Sequence, residues 1–143
     1  LRAGTPQALP RQASGTTAQS WQTHWAAVAT LARAGAEILA VPAAFTRPTG
    51  QAHWHVLLRA RAIETGCFVV AAAQTGTHAD GRETYGHSLV VDPWGEVLLD
   101  MGEAPGEALV TIDLARVAEV RGRIPALAHA RPVPAPDRAG MAA

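Results

Sequence analysis

The stretch from residue 50 to residue 74 constrains the fold of this chain more than any other. It reads GQAHWHVLLRARAIETGCFVVAAAQ, a helical pattern that runs through one glycine into small apolar residues. On a helical wheel the apolar side chains cover two faces and leave only a narrow strip for Arg59 and Glu64. Gly66 stands where a helix C-cap is expected, and residues 67–73 lack the polar alternation of a half-exposed strand. The stretch therefore predicts a helix with apolar neighbours on two sides, followed by a strand covered on both faces.

Composition excludes several classes of function. The chain has 143 residues, enough for one core, and its 12 cationic and 12 anionic side chains cancel. A neutral chain offers no basic face for nucleic acid or an anionic membrane, and no apolar run approaches the roughly 20 residues of a membrane span. The cations are all arginines, so this sequence cannot supply a lysine ammonium to a mechanism. The single cysteine allows no internal disulfide, and we expect a soluble cytoplasmic protein.

The first part of the chain predicts one irregular segment, one helix and one strand. Residues 1–18 have no helical or strand period, and we expect them to be irregular or disordered. Ser20 is a suitable N-cap for a helix over 21–34, and 37–41 has the composition of a short strand. A loop over 45–50 then leads into the central helix.

The second part of the chain predicts a hairpin and further short elements. The expected elements are a polar turn over 76–82, hairpin strands over 86–91 and 97–99, a strand over 107–112, a helix over 113–121 stopped by Gly122 and Pro125, and a Pro/Ala-rich tail over 133–143. Helices that alternate with strands and a hairpin indicate an α/β fold, with a mixed sheet covered by helices.

Three stretches resemble the carbon–nitrogen hydrolase (nitrilase) superfamily, in the family's order and with matching gaps. They are ARAGAEILAVPAAFT, AHWHVLLRARAIETGCFVVAAAQTGTH and TYGHSLVVDPWGEVL, and the resemblance spans about residues 31–132. It is greatest to the branch that hydrolyses small ω-amides. The resemblance implies that residues 19–132 form the C-terminal half of an αββα sandwich. It also implies a homo-oligomer in which a partner subunit covers the second apolar face of the central helix, namely Val56, Ala60 and Ile63.

The resemblance also implies a covalent mechanism without a cofactor, in which a cysteine attacks a small amide or nitrile, a glutamate acts as base and a lysine stabilises the intermediate. Counting back from the first stretch places the nucleophile position at Gln19, which cannot form a thioester. The glutamate and lysine belong to the half that precedes this chain, so no catalytic residue carries over.

Two hypotheses follow from this loss. The first is that the chain is a fragment of a carbon–nitrogen hydrolase, inactive alone, whose true reading frame or gene neighbour supplies the missing residues. The alternative is a non-catalytic remnant or interaction subunit that pairs with an intact homologue.

The remaining candidates have simpler structural explanations. Cys67 follows the C-terminal end of a helix, where the dipole raises a thiol pKa, and we interpret it as a buried structural residue. Arg61 and Glu64 have the spacing of a surface ion pair, although an arginine here could equally bind a partner subunit. By resemblance one loop borders the substrate pocket, and it is formed by Ala43, Ala44, Phe45 and Thr46.

The histidines do not predict a metal site. His53 and His55 are two positions apart, so on a helix they point away from each other, which makes a metal-dependent hydrolase the least favoured reading. The family commonly has glutamate where His55 stands. His78 and His87 flank the hairpin region and could approach each other, but without a carboxylate or thiol partner we interpret them as surface or hydrogen-bonded histidines.

Overall fold

A computed structural model describes residues 27–131 of the chain. The predictions made for residues 1–18, for Gln19 and Ser20, and for the tail over 133–143 lie outside the described residues. Within 27–131, no helix combines the length and the apolarity that crossing a membrane requires.

The described residues form a four-stranded sheet, a separate two-stranded hairpin and four helices. Helix α1 is described over 27–33. The elements after it are β1 (Ile38–Ala40), α2 (Arg47–Thr65), β2 (Phe68–Ala71), β3 (Thr75–Thr77), β4 (Glu83–Tyr85), β5 (Leu89–Val91), β6 (Val97–Asp100), α3 (Ala115–Arg123) and α4 (Ala126–His129). The sheet has the order β1-β2-β5-β6, with β1 parallel to β2 and the other pairs antiparallel, so the predicted mixed sheet is confirmed.

One face of the sheet and helix α2 form the core. Leu39 pairs with Val69, and Val69 pairs with Val91, so these three buried side chains stand in a row across the sheet. They belong to one apolar cluster with Leu58 and Ala62 of α2. Because side chains alternate along a strand, the neighbouring residues of β1 and β2 point to the opposite face.

The opposite face of the sheet is covered only in part within the described residues, since Phe68 and Val90 are buried there while their neighbours are exposed. Ile38 of β1 is 43% exposed, and Val70 of β2 is 39% exposed. The prediction that the strand over 67–73 is covered on both faces was therefore wrong for Val70, because no second layer of residues 27–131 packs over it. A partly exposed apolar sheet face is what half of a sandwich presents.

Helix α2 is longer than its sequence pattern predicted and is buried on one side only. It begins at Arg47 rather than Gly50, with Pro48 in the first turn, where a missing N–H costs nothing. The C-cap at Gly66 is confirmed, with φ +59°. The buried residues follow the helical repeat and are Gly50, Trp54, Leu58, Ala62 and Thr65. Val56 and Ile63 on the second face are 67% and 47% exposed, so residues 27–131 do not bury α2 on two sides.

One sequence prediction in the second half is confirmed in part, and another was wrong. The turn expected over 76–82 joins β3 to β4 in a hairpin, but residues 76 and 77 belong to β3. Residues 107–112 alternate like a strand but form none, because no neighbouring strand pairs with them. Helix α3 continues through Gly122 to Arg123, and the backbone N–H of Ile124 still donates to the carbonyl of Val120 at 2.9 Å.

The predicted hairpin between β5 and β6 is confirmed and is organised by a buried carboxylate. Asp92 is 4% exposed, and its Oδ1 accepts the backbone N–H groups of Trp94 at 2.9 Å and Glu96 at 2.8 Å. Its Oδ2 accepts Nε of Arg116 at 3.2 Å, which attaches helix α3 to the hairpin. The turn between β5 and β6 therefore also positions the C-terminal helices.

We expect Gly50→Ala to lower the free energy of unfolding by about 1–3 kcal/mol, because an added Cβ would lie 2.3 Å from the Cβ of Tyr85. The matched control is Gly122→Ala, also in a helix, where a Cβ meets nothing within 4 Å. Helix propensity should make that variant more stable by about 0.5–1 kcal/mol. Urea unfolding measures both, and equal stability of Gly50→Ala and the wild type would contradict the close packing of α2 on β4.

We expect Asp92→Ala to lower the free energy of unfolding by about 2–4 kcal/mol, because it leaves two backbone N–H groups without an acceptor. Asp80→Ala is the control, since Asp80 binds only Arg82 on the exposed surface of the β3–β4 turn. Thermal unfolding should show a clear loss for the first variant and almost none for the second. Similar losses in the two variants would refute the role given to Asp92.

Candidate functional site

The predicted pocket loop, Ala43 to Thr46, lies where the parallel pair β1 and β2 ends at its carboxyl edge. The N–H of Ala43 donates to the carbonyl of Ala72 at 3.0 Å, and the carbonyl of Ala43 accepts the N–H of Gln74 at 3.0 Å. Ala44, the next residue of the loop, is exposed. In open α/β sheets the carboxyl edge of parallel strands is the usual place for a ligand.

The second half of the loop is attached to the β3–β4 hairpin. The carbonyl of Phe45 accepts the N–H of Tyr85 at 3.0 Å, and Thr46 bridges to Thr84. The ring of Phe45 lies 5.0 Å from that of Trp54, so its side chain packs towards α2. The loop is therefore held on both sides by backbone pairing. Its assignment as a pocket wall stays a prediction.

A cavity of about 240 Å³ lies beside this edge of the sheet. Ala73 and Ser88 line it, and the N–H of Ala73 donates to Oγ of Ser88 at 3.0 Å. The opposite wall comes from the segment after β6, including Met101 and Gly102, and His87 lies at its margin. Through His87 the cavity adjoins a cluster of polar side chains.

That cluster joins His55, His87 and Asp100. Nε2 of His55 lies 3.0 Å from Oδ2 of Asp100, and Nδ1 of His87 lies 2.9 Å from Oδ1 of the same carboxylate. The two imidazole rings are 5.2 Å apart and nearly perpendicular, and the ring of Tyr85 stacks on that of His87 at 4.2 Å. All three polar side chains are partly exposed, so they can meet solvent or a ligand.

Sheet register explains why these residues meet. Asp100 pairs with Leu89, whose side chain lies in the core beneath α2, so Asp100 stands on the face of the sheet that α2 covers. His55 lies on α2, and His87 comes two residues before Leu89. The backbone of His87 has φ +56°, a conformation that is uncommon for residues other than glycine.

The surroundings of Asp100 shift the pKa of its carboxyl group. Burial favours the neutral acid and acts to raise the pKa of Asp100. Hydrogen bonds from the N–H of Gly102 and from His55 and His87 outweigh burial, so the pKa of Asp100 lies below its usual range. The carboxylate is therefore ionised at neutral pH and accepts a hydrogen bond from each imidazole.

His78 and His87, the two histidines that flank the hairpin region, are hydrogen-bonded as expected, but to different partners. Nε2 of His78 lies 3.0 Å from Oγ1 of Thr84, and His87 lies beside His55 instead. The premise that these imidazoles lack a carboxylate partner was wrong for His87, because Asp100 is 13 positions away along the chain. No local sequence signal indicated the contact, which depends on the pairing of β5 with β6.

Cys67 has the surroundings of a structural thiol. It has no exposed surface, and its Sγ donates to the carbonyl of Ala36 at 3.2 Å. The guanidinium of Arg121 lies beside it, with Nη2 at 3.1 Å from Sγ and at 2.7 Å from the carbonyl of Ala36. Nε of the same arginine donates to the carbonyl of Thr65 at the end of α2, at 3.1 Å. A substrate cannot reach this thiol in the described structure.

The arginines of α2 satisfy acceptors within the chain. Nη1 of Arg61 lies 2.9 Å from the carboxylate of Glu64, which confirms the predicted spacing. Nε of Arg59 donates to the carbonyl of Gly95 in the β5–β6 turn at 2.8 Å. The first contact lies within α2, and the second attaches α2 to the turn of the hairpin.

Comparison with known proteins identifies relatives of this chain. A family model described as carbon–nitrogen hydrolase matches residues 20–122. The chain is 58% identical over 102 residues to human deaminated glutathione amidase, covering 71% of this chain and 31% of that protein. It is 54% identical over 99 residues to the deaminated glutathione amidase of Synechocystis sp., covering 69% and 36%. The crystal structure of Caenorhabditis elegans NitFhit superposes with a TM-score of 0.70 at 49% identity, covering 73% of this chain and 25% of that one.

These alignments confirm the resemblance drawn from the three sequence stretches and the α/β fold that it implied. The chain spans about a third of the length of the curated relatives it matches. Gln19 stands immediately before the matched range and outside the described residues, so its place at the nucleophile position stays a prediction. Because the family model matches well over half of its residues, the chain belongs to the carbon–nitrogen hydrolase family.

Proposed function

We propose that this chain forms the C-terminal part of an amidase that hydrolyses a small amide through a cysteine thioester. The observation that carries the proposal is the 58% identity to human deaminated glutathione amidase over 102 residues. That relative's name points to the amide of a deaminated peptide as the substrate class, and a nitrile is the less favoured alternative. The loop over 43–46, at the carboxyl edge of β1 and β2, would form part of the pocket wall.

The chemistry of such an enzyme needs groups that this chain does not supply. A thioester mechanism requires an accessible thiol, and Cys67 is the single cysteine and is buried. The sequence contains no lysine to stabilise a tetrahedral intermediate. We therefore propose that the nucleophile, the base and the lysine come from sequence on the N-terminal side of the matched range, and that the chain alone is inactive.

A second candidate is a non-catalytic subunit that pairs with an intact homologue. The observation that favours it is the apolar second face of α2, where Val56 and Ile63 lie seven residues apart on one side of the helix and are exposed. In either case we propose that this face joins two subunits. Burial of two large aliphatic side chains would favour association.

We expect the purified chain to release no ammonia from deaminated glutathione or from simple ω-amides. A product extended upstream in the reading frame that encodes the missing strand, cysteine, lysine and glutamate should release it. Cys67→Ala in the extended protein should retain activity, because Cys67 is buried against Ala36 and Arg121. Ammonia release by the chain alone that disappears in Cys67→Ala would overturn both the proposed division of the enzyme and the assignment of this thiol.

We expect Val56→Glu to shift the chain to a smaller oligomer, because it places a charge on the proposed subunit contact while leaving the core intact. Leu109→Glu is the matched control, because Leu109 is fully exposed and lies outside α2. Light scattering coupled to size exclusion measures both variants. A wild-type chain that is monomeric, also when mixed with an intact relative, would refute the contact.

A further inference from the structure

The cluster of His55, His87 and Asp100 contains none of the cysteine, glutamate and lysine groups that the proposed thioester chemistry uses. Its three side chains come from α2, from the residues before β5 and from the end of β6, and their ligand atoms all lie within 4.8 Å of one another. Two imidazole nitrogens and one carboxylate oxygen are a donor set that binds Zn²⁺ with a fourth position left open. Soft or purely oxygen-preferring metals are a poorer match to this set.

The distances require only a small adjustment to accept an ion. Metal bonds of about 2.0–2.1 Å at tetrahedral angles separate neighbouring ligand atoms by about 3.3 Å. The two contacts with Asp100 measure 2.9 Å and 3.0 Å, so each would open by a few tenths of an ångström. The remaining distance to shorten is that between Nε2 of His55 and Nδ1 of His87, which lie within 4.8 Å of each other. His55 can rotate to shorten it, because its side chain lies on the surface of α2 and is about a third exposed. We propose that His55, His87 and Asp100 form a binding site for a divalent transition metal, with Zn²⁺ as the best match.

Two of the three ligands are already held in place by neighbouring groups. The N–H of His87 donates to the carbonyl of Gly102 at 2.7 Å, and its carbonyl accepts Nε1 of Trp54 at 2.7 Å. Stacking on Tyr85 orients its ring, and the N–H of Gly102 donates to Oδ1 of Asp100 at 2.9 Å. Such outer contacts orient the ligands of metal sites and reduce the cost of binding.

The proton balance of the site is simple. An ionised carboxylate can only accept hydrogen bonds, so without metal Nε2 of His55 and Nδ1 of His87 both carry a proton. Metal binding uses the lone pair of each of these nitrogens, and each proton moves to the other nitrogen of its ring through solvent. All three side chains are partly exposed, so solvent can supply a water molecule as fourth ligand.

The test is a Zn²⁺ titration of the full chain, freed of metal by dialysis against a chelator and measured by competition with a chromophoric zinc indicator. We expect one equivalent to bind, and the Co²⁺ form to show the visible absorption of a tetrahedral site. His55→Gln and Asp100→Asn should each weaken binding by about tenfold or more, because each removes one of three ligands. His53→Gln is the matched control on the same helix and should bind like the wild type, since His53 lies outside the cluster.

Further variants separate metal binding from folding. His87→Asn should also lose the ion while keeping the fold, because asparagine tolerates the left-handed backbone at this position, and circular dichroism checks this. The proposal is overturned if no Zn²⁺ binds, if the cluster variants bind like the wild type, or if His53→Gln weakens binding as much as they do. None of these measurements uses amide hydrolysis, so they test the metal site independently of the proposed function.

Discussion

Parallel pairing of β1 with β2 is the constraint on which the described structure depends. Parallel strands cannot be joined by a tight turn, so the chain must cross back over the sheet, and α2 makes this crossing. This crossing requires α2 to pack against Leu39 and Val69, and the buried side of α2 does so. Two glycines permit the fit, since Gly50 allows close contact with Tyr85 and Gly66 turns the chain into β2. The candidate site inherits its position from this arrangement, because it lies where the two strands end.

Features that arise from neighbouring residues could be predicted from the sequence. The helical repeat of α2, the glycine at its C-cap and the Asp-Pro-Trp-Gly turn are all encoded within a few positions of where they act. The family could be identified for a related reason, since three separate stretches had to agree in order and spacing. Even so, the predicted start of α2 was about one turn too late. Pro48 was assigned to a loop, although proline suits the first turn of a helix equally well.

Features that depend on distant parts of the chain could not be predicted. Residues 107–112 alternate perfectly well, but a strand needs a partner, and the pattern of one segment does not reveal whether another lies beside it. Val70 is exposed because no other part of residues 27–131 covers it, which the composition of β2 could not reveal. The meeting of His55 with Asp100 across 45 positions depends on sheet register and on the path of α2 together. A shift of one residue in the pairing of β5 with β6 would turn Asp100 to the other face of the sheet.

The contacts of Arg121 bear on the order in which the chain can complete its fold. This arginine supplies hydrogen bonds to the carbonyls of Thr65 and Ala36, which precede it by 56 and 85 residues. During synthesis, α2 and β2 therefore leave the ribosome well before the donor that satisfies the corner between them exists. A nascent chain can assemble the sheet early, but this corner stays solvated until α3 docks. The corner between α2 and β2 is thus completed only after α3 has been made, and a truncation near residue 120 would remove the donor that satisfies it.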